Sequence, residues 1–166
     1  MVKNNDSIIL GIDPGFAITG FAILAKQKNE LKVIDYGVIK TLASENFDKR
    51  LKKIYIKLNQ IIKKYQPQVL AIEDLFFGKN AKTAIKVGQA RGVIILCAAL
   101  NKLKIYDFTP LQIKQAVTTY GRAEKIQIQK MIKMLLNLET IPHPDDAADA
   151  LAVAYTCAQS LTTKYD

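Results

Sequence analysis

Between Phe47 and Tyr65, apolar side chains recur at steps of three and four: Phe47, Leu51, Ile54, Leu58, Ile61, Ile62 and Tyr65, with lysine and arginine between them. That spacing is the stripe of an amphipathic helix laid on an apolar surface, and Pro67 marks its stop. The stretch VLAIEDL, residues 69–75, follows at once as a continuous apolar run that ends in acid. A helix feeding such a strand is the crossover that parallel neighbours require, so a strand from before the helix has to lie beside this one. The candidates are IILGID (8–13), ITGFAILA (18–25) and LKVIDYGVIKT (31–41), which read as an antiparallel meander joined by short Gly or polar turns. A second helix over residues 81–102 and a fifth strand, KIYDF (104–108), complete a five-stranded mixed sheet with helices on its faces. The expected class is α/β.

The last third reads as helical. Thr109-Pro110-Leu111-Gln112 combines an N-cap Thr, Pro at the first helical position and Gln three residues after the Thr, which is a capping box. TTYGR (118–122) breaks that helix, another starts at Glu124, and AADALAVAYTCAQSL after IPHPDD forms the closing one. With 166 residues and 49% apolar content, one core and a single domain over 1–166 are expected, with a short flexible tail from about 160. No run approaches the roughly 18 consecutive apolar residues of a membrane span, and MVKNNDS is too polar for a signal peptide, so the expectation is a cytoplasmic protein without a membrane partner. Cys97 and Cys157 sit in apolar stretches without C-x-x-C spacing and are expected to be buried free thiols.

Strands normally exclude aspartate, so Asp13 at the end of IILGID needs a reason. Glu73 ends the fourth strand, and if the two strands are parallel neighbours, both carboxylates emerge at the carboxyl edge of the sheet, where open α/β folds place their sites. Asp146 and Asp149 lie three apart on the closing helix and share a face, while Ala150, Leu151 and Val153 anchor that helix in the core. Four like charges so placed repel one another unless cations sit among them. Hard cations such as Mg²⁺ take carboxylate oxygens and are completed by substrate phosphate, and a pair about 4 Å apart hydrolyses phosphodiesters. Simpler roles compete: turn chemistry in Asp-Pro-Gly for Asp13, and first-turn acids favoured by the helix dipole for Asp145 and Asp146. Asp145, four residues before Asp149, stands as an alternative to Asp146, and His143, the lone histidine, is either a base or ligand of the site or simply solvated. Because strand side chains alternate, only one of Glu73 and Asp74 faces the cleft.

GIDPGxxxTG (11–20), AIEDLFFGKN (71–80), GQARG (88–92), TPLQIKQAVTTYGRAEK (109–125) and DDAADALAVA (145–154) together resemble the RuvC family of Holliday-junction resolvases, in family order, over residues 8–158. The resemblance implies a ribonuclease H-like fold and assigns the family's four metal-binding, catalytic carboxylates to Asp13, Glu73, Asp146 and Asp149. It implies two Mg²⁺ ions per site, replaceable by Mn²⁺, and a structure-selective endonuclease that nicks four-way junction DNA symmetrically in recombination and repair. Water is then the nucleophile, with 5′-phosphate and 3′-hydroxyl ends as products. It also implies a homodimer using the second long helix, where Gly88 and Gly92 permit close approach of another helix or of the chain's own sheet. RuvA and RuvB branch-migration partners come with it.

The net charge of +9 favours a polyanionic partner, and the basic candidates for phosphate contact are Lys79, Lys82, Arg91, Lys114, Arg122 and Lys125. Lys114 and Lys125 match family positions linked to DNA binding, whereas Lys52, Lys53, Lys63 and Lys64 read as a solvated helix face. Phe76 matches the family's base-stacking position, while Phe77 either stacks or fills the core. Two other functions compete with the resolvase: a catalytically silent junction-binding module of the same fold, which intact carboxylates argue against, and an actin-like ATP-binding fold, for which the chain has no second phosphate loop.

Overall fold

The computed structural model describes residues 7–28, 30–75 and 81–162. Strands β1 (Ser7–Asp13), β2 (Ile18–Gln27), β3 (Glu30–Lys40), β4 (Val69–Glu73) and β5 (Lys104–Phe108) form one sheet in the order β3-β2-β1-β4-β5. β1 pairs antiparallel with β2 and parallel with β4, and β4 pairs parallel with β5. The crossover between β1 and β4 that the periodicity predicts is helix α1 (Phe47–Tyr65), ended by Gln66 in the left-handed conformation. The remaining helices are α2 (Ala81–Leu100), α3 (Pro110–Thr118), α4 (Lys125–Leu135) and α5 (Asp145–Thr162).

Both faces of the sheet are covered, which is why its central strands read as near-continuous apolar runs. Ile9, Ala22, Leu24, Val69 and Ala71 pack under α3, α4 and α5, while Leu10, Ile12, Ile23, Leu70 and Ile72 pack under α1 and α2. The alternation along β1 and β4 follows the two-residue period of the strand. α5 is buried almost all round, with Ala147, Ala148, Ala150, Leu151, Ala152, Val153 and Ala154 essentially inaccessible. Its alanines let it come very near β1: a Cβ on Gly11 would lie 2.4 Å from the Ala150 carbonyl oxygen and 2.6 Å from the Ala154 Cβ.

Several ends differ from the sequence-based expectation. β4 stops at Glu73 rather than at 75, although the Asp74 amide still donates to the Phe108 carbonyl at 2.8 Å. α2 stops at Leu100 because Lys102 takes a left-handed backbone (φ 61°) and Leu103 N–H bonds back to the Ala98 carbonyl. The closing helix begins two residues earlier than expected and puts Asp145 and Asp146 in its first turn, and it continues to Thr162, so residues 160–162 are helix rather than tail. Residues 163–166 lie outside the described residues. The capping box at Thr109 and Gln112 is present as read.

Cys97 and Cys157 are free and buried on opposite faces of the sheet, and burial pushes their thiols up to about 11 and about 12. The segment Lys82–Leu100 of α2 is long and apolar enough, by length and composition, to cross a membrane. Here its inner face, Ala90, Ile94, Cys97 and Ala98, is sealed against the sheet, while Ile85, Leu96 and Leu100 are 61%, 55% and 62% exposed. A Cβ on Gly92 would meet nothing within 4 Å, so Gly92 is not there to fit the chain's own sheet.

Gly11→Ala is expected to lower unfolding free energy by about 1–3 kcal/mol, the usual cost of overpacking, because α5 must move off β1. Urea unfolding of the two proteins measures it, and equal midpoints would show that α5 has slack.

Candidate active site

The parallel register sets Ile12 beside Ile72, so the residues that follow, Asp13 and Glu73, leave the same edge of the sheet on adjacent strands. Asp13 is paired with Gly20 across β2, and a Cβ on Gly20 would lie 1.9 Å from the Asp146 carbonyl oxygen. The missing side chain is what lets the first turn of α5 close over Asp13. Asp149 then falls one turn along the helix, lining a cleft of about 200 Å³ with Glu73, Lys114 and Lys125 over a floor of Pro110, Ile113, Ile128 and Ala152.

Of the four acids, Glu73 and Asp149 line this cleft and Asp13 and Asp146 do not, but their charges act on one another. Burial pushes the Asp13 carboxyl up to about 8, and the charges of Glu73, Asp149 and Asp146 push the same way, with Lys125 opposing. Glu73 is raised by burial and then by Asp149, and eased by a hydrogen bond from Asp13 and by the charges of Lys125 and Lys114. Asp149 is raised by burial, with Lys125 pulling against it. Burial and like charge thus act together against ionisation at this end of the sheet.

Lys125 Nζ sits 3.0 Å from Asp149 Oδ2 and 3.5 Å from Asp145 Oδ2. Burial works against its charge, but these carboxylates outweigh it and hold the ammonium above its ordinary value. Asp145 is drawn outward: Gln129 Nε2 donates to its Oδ1 at 3.0 Å, and this bond, followed by Lys125, lowers its pKa. Of the two first-turn acids, it is Asp146 whose charge falls on Asp13. His143 is exposed, does not line the cleft, and is one of the neighbours that lower the pKa of Asp145.

Among the described residues, no three acid, histidine or cysteine side chains converge closely enough, as they stand, to hold one metal ion. In kind, the donors fit a hard divalent cation: they are all carboxylates, and three of them carry raised pKa values for want of positive charge. Arg122 is exposed in the connection between α3 and α4, and Lys82 is exposed near the start of α2. Phe76, Phe77 and Lys79 lie outside the described residues. Arg91, a sequence candidate for phosphate contact, is instead committed to protein: it bonds the Asp107 carboxylate, reaches Asp74 at 3.5 Å and donates from Nε to the Glu73 carbonyl at 3.3 Å. Nothing in its residue type marks Gln129 as part of the site, although its place four residues after Lys125 puts both on one face of α4.

A family model described as crossover junction endodeoxyribonuclease RuvC matches residues 9–157. The crossover junction endodeoxyribonuclease RuvC of Alkaliphilus metalliredigens is 58% identical over 153 residues, 92% of this chain and 93% of that one. That of Caldicellulosiruptor saccharolyticus is 60% identical over 147 residues, 88% of this chain and 89% of that one. Among solved structures, Thermus thermophilus RuvC in complex with a Holliday junction substrate superposes with a TM-score of 0.89 at 29% identity, covering 95% of this chain and 96% of that one. The yeast mitochondrial Holliday junction resolvase shares the fold, with a TM-score of 0.68 at 14% identity, covering 95% and 80%.

The raised Asp13 sets a pH dependence. Between about 4 and 8 the folded chain binds a proton at Asp13 that the unfolded chain has released, so this group makes stability fall as pH rises through that window. In chelator, Asp13→Asn should therefore be more stable than the parent by a margin that grows by about 2–4 kcal/mol from pH 5 to pH 8. Denaturant unfolding at both pH values measures the margin, and a margin independent of pH would mean that Asp13 titrates as an ordinary carboxyl.

Proposed function

From membership of the RuvC family of crossover junction endodeoxyribonucleases, to which this chain belongs, we propose that it resolves four-way DNA junctions with two Mg²⁺ ions held by Asp13, Glu73, Asp146 and Asp149, and that Mn²⁺ can replace them. The observation that carries the metal reading is the set of raised carboxyls at one sheet edge, headed by Asp13 at about 8. Such a cluster is stable only when protonated or matched by cations.

Held by these four carboxylates, such ions would lower the pKa of an attacking water and offset the charge on a departing 3′-oxygen. The products are then a 5′-phosphate and a 3′-hydroxyl. The chain's own part is to shape and charge the cleft. Cations held there would favour the ionised form of Asp13, so metal binding would be coupled to proton release. Lys114 and Lys125 flank Glu73 in the cleft and offer ammonium groups to phosphate oxygens, Lys125 exchanging the Asp149 carboxylate for them. Arg122 and Lys79 extend the phosphate contacts, and Phe76, three residues after Glu73, stacks on a base unpaired at the junction centre. His143 stays outside the chemistry.

Four-way junctions need two opposed cuts, and the exposed apolar face of α2, with open space over Gly92, supports pairing with a second copy of the chain. The chain works as one nuclease domain in the cytoplasm, beside branch-migration partners of the RuvA and RuvB type.

A labelled junction and a matched linear duplex, each incubated in Mg²⁺ with the parent and with Glu73→Gln, test the reading. Paired symmetric nicks on the junction alone are expected, falling by about 10³-fold or more in the variant, while junction binding persists. Junctions bound but left whole by both proteins would favour the silent binding module. By sedimentation, Leu96→Asp combined with Leu100→Asp should turn a dimer into a monomer, and a monomeric parent would sink the pairing.

A further inference from the structure

We propose that Arg91, on α2, is a positioning residue that decides which acid of the Glu73–Asp74 pair enters the site and holds it there. The inference rests on the four-carboxylate reading of the site. Consecutive acids at a strand end are an ambiguity for the fold. Pairing of β4 with β1 ends at Ile72 and with β5 at Glu73, opposite Phe108, beyond which the Asp74 amide bond to the Phe108 carbonyl is the last main-chain tie. A one-residue slip at this strand end would exchange the directions of the two carboxylates.

Arg91 removes that freedom. Its side chain is only 16% exposed, and its guanidinium meets three oxygens from two strands: the Glu73 carbonyl at 3.3 Å, Asp74 Oδ1 at 3.5 Å and the Asp107 carboxylate of β5. A planar fork of fixed donors suits such a set, where a single ammonium does not. The helix beneath it is rigidly seated, since Ala90 and Ile94 on either side are fully buried. One turn earlier, Gly88 lies against Leu75, with its Cβ position 3.4 Å from Leu75 Cδ1, so α2 braces both residues that follow Glu73. Asp74 and Asp107 would repel each other across neighbouring strand ends without the guanidinium between them, and Asp74 would be driven toward other directions, the cleft included. Arg91 thus fixes Glu73 through the main chain while drawing its neighbour aside.

The test compares the parent with R91A, R91K and R91A/D74N in three readouts: junction cleavage, Mn²⁺ affinity by electron paramagnetic resonance, and hydrogen exchange of the Asp74 amide. R91A should lower kcat and Mn²⁺ affinity by about 10–100-fold, the usual range for partners that orient a metal ligand, with KM within about twofold. R91K should recover little, and adding D74N to R91A should recover part of the loss by removing the repelling carboxylate, a gain that general loosening of the fold would not produce. R91A and R91K with kcat and Mn²⁺ affinity within about twofold of the parent, or an R91A/D74N no better than R91A, would overturn the assignment. A parent that binds Mn²⁺ yet leaves junctions whole would sink the nuclease reading alone, and the Mn²⁺ affinities would then decide the role of Arg91. A parent that binds no Mn²⁺ would sink the metal reading, and unchanged Asp74 exchange in R91A would then overturn the role, faster exchange supporting it.

Discussion

The contact of α5 with β1 and β2 governs the rest of the molecule. At Gly11 and Gly20 the helix backbone comes so near the sheet that no side chain fits between them. The two glycines do different work. Gly11 seats the middle of the helix, at Ala150 and Ala154, over the apolar core, and Gly20 seats its first turn, at Asp146, over the strand pair that ends in Asp13. Helix and sheet are therefore in register as rigid bodies, and the acids they carry meet because of main-chain packing rather than because of any attraction between them.

That order of causes matters, since the acids oppose one another. Desolvation and like charge act against ionisation at Asp13, Glu73 and Asp149 at once. Such an arrangement persists because the surrounding structure over-determines it. Two apolar layers, one under α1 and α2 and one under α3, α4 and α5, clamp the strands on both faces, and at their edge Lys125, Gln129 and Arg91 restrain the carboxylates of Asp149, Asp145, Asp74 and Asp107. Folding energy gathered across the sheet is concentrated as electrostatic tension at one edge.

Much of this was legible in the chain. The 3.6-residue period of α1 and the apolar run after Pro67 led to the parallel pairing of β1 with β4, and that pairing led to Asp13 and Glu73 sharing an edge. The choices left open were of direction, which a one-dimensional pattern carries poorly. Asp145 and Asp146 are equivalent by spacing, and what separates them is Gln129, a residue of another helix. Arg91 reads as one more cation of a basic chain, because sequence displays its charge but not the two carboxylates and the carbonyl that absorb it. Gly88 and Gly92 look alike as a pair, yet one touches Leu75 and the other faces open space. Helix ends moved by two residues where left-handed Lys102 or first-turn acids intervened, which are local backbone effects that apolar periodicity does not register.

The two cysteines have a practical corollary. Each lies under a different layer of helices, so the sheet itself stands between them and bars a disulfide, and each thiol holds its proton far above neutral pH. Only the thiolate attacks maleimides, iodoacetamide or peroxide. In its native state the chain thus behaves toward such reagents as though it had no cysteine, and a single thiol introduced on its surface would carry a dye or spin label without competition from the protein's own sulfur.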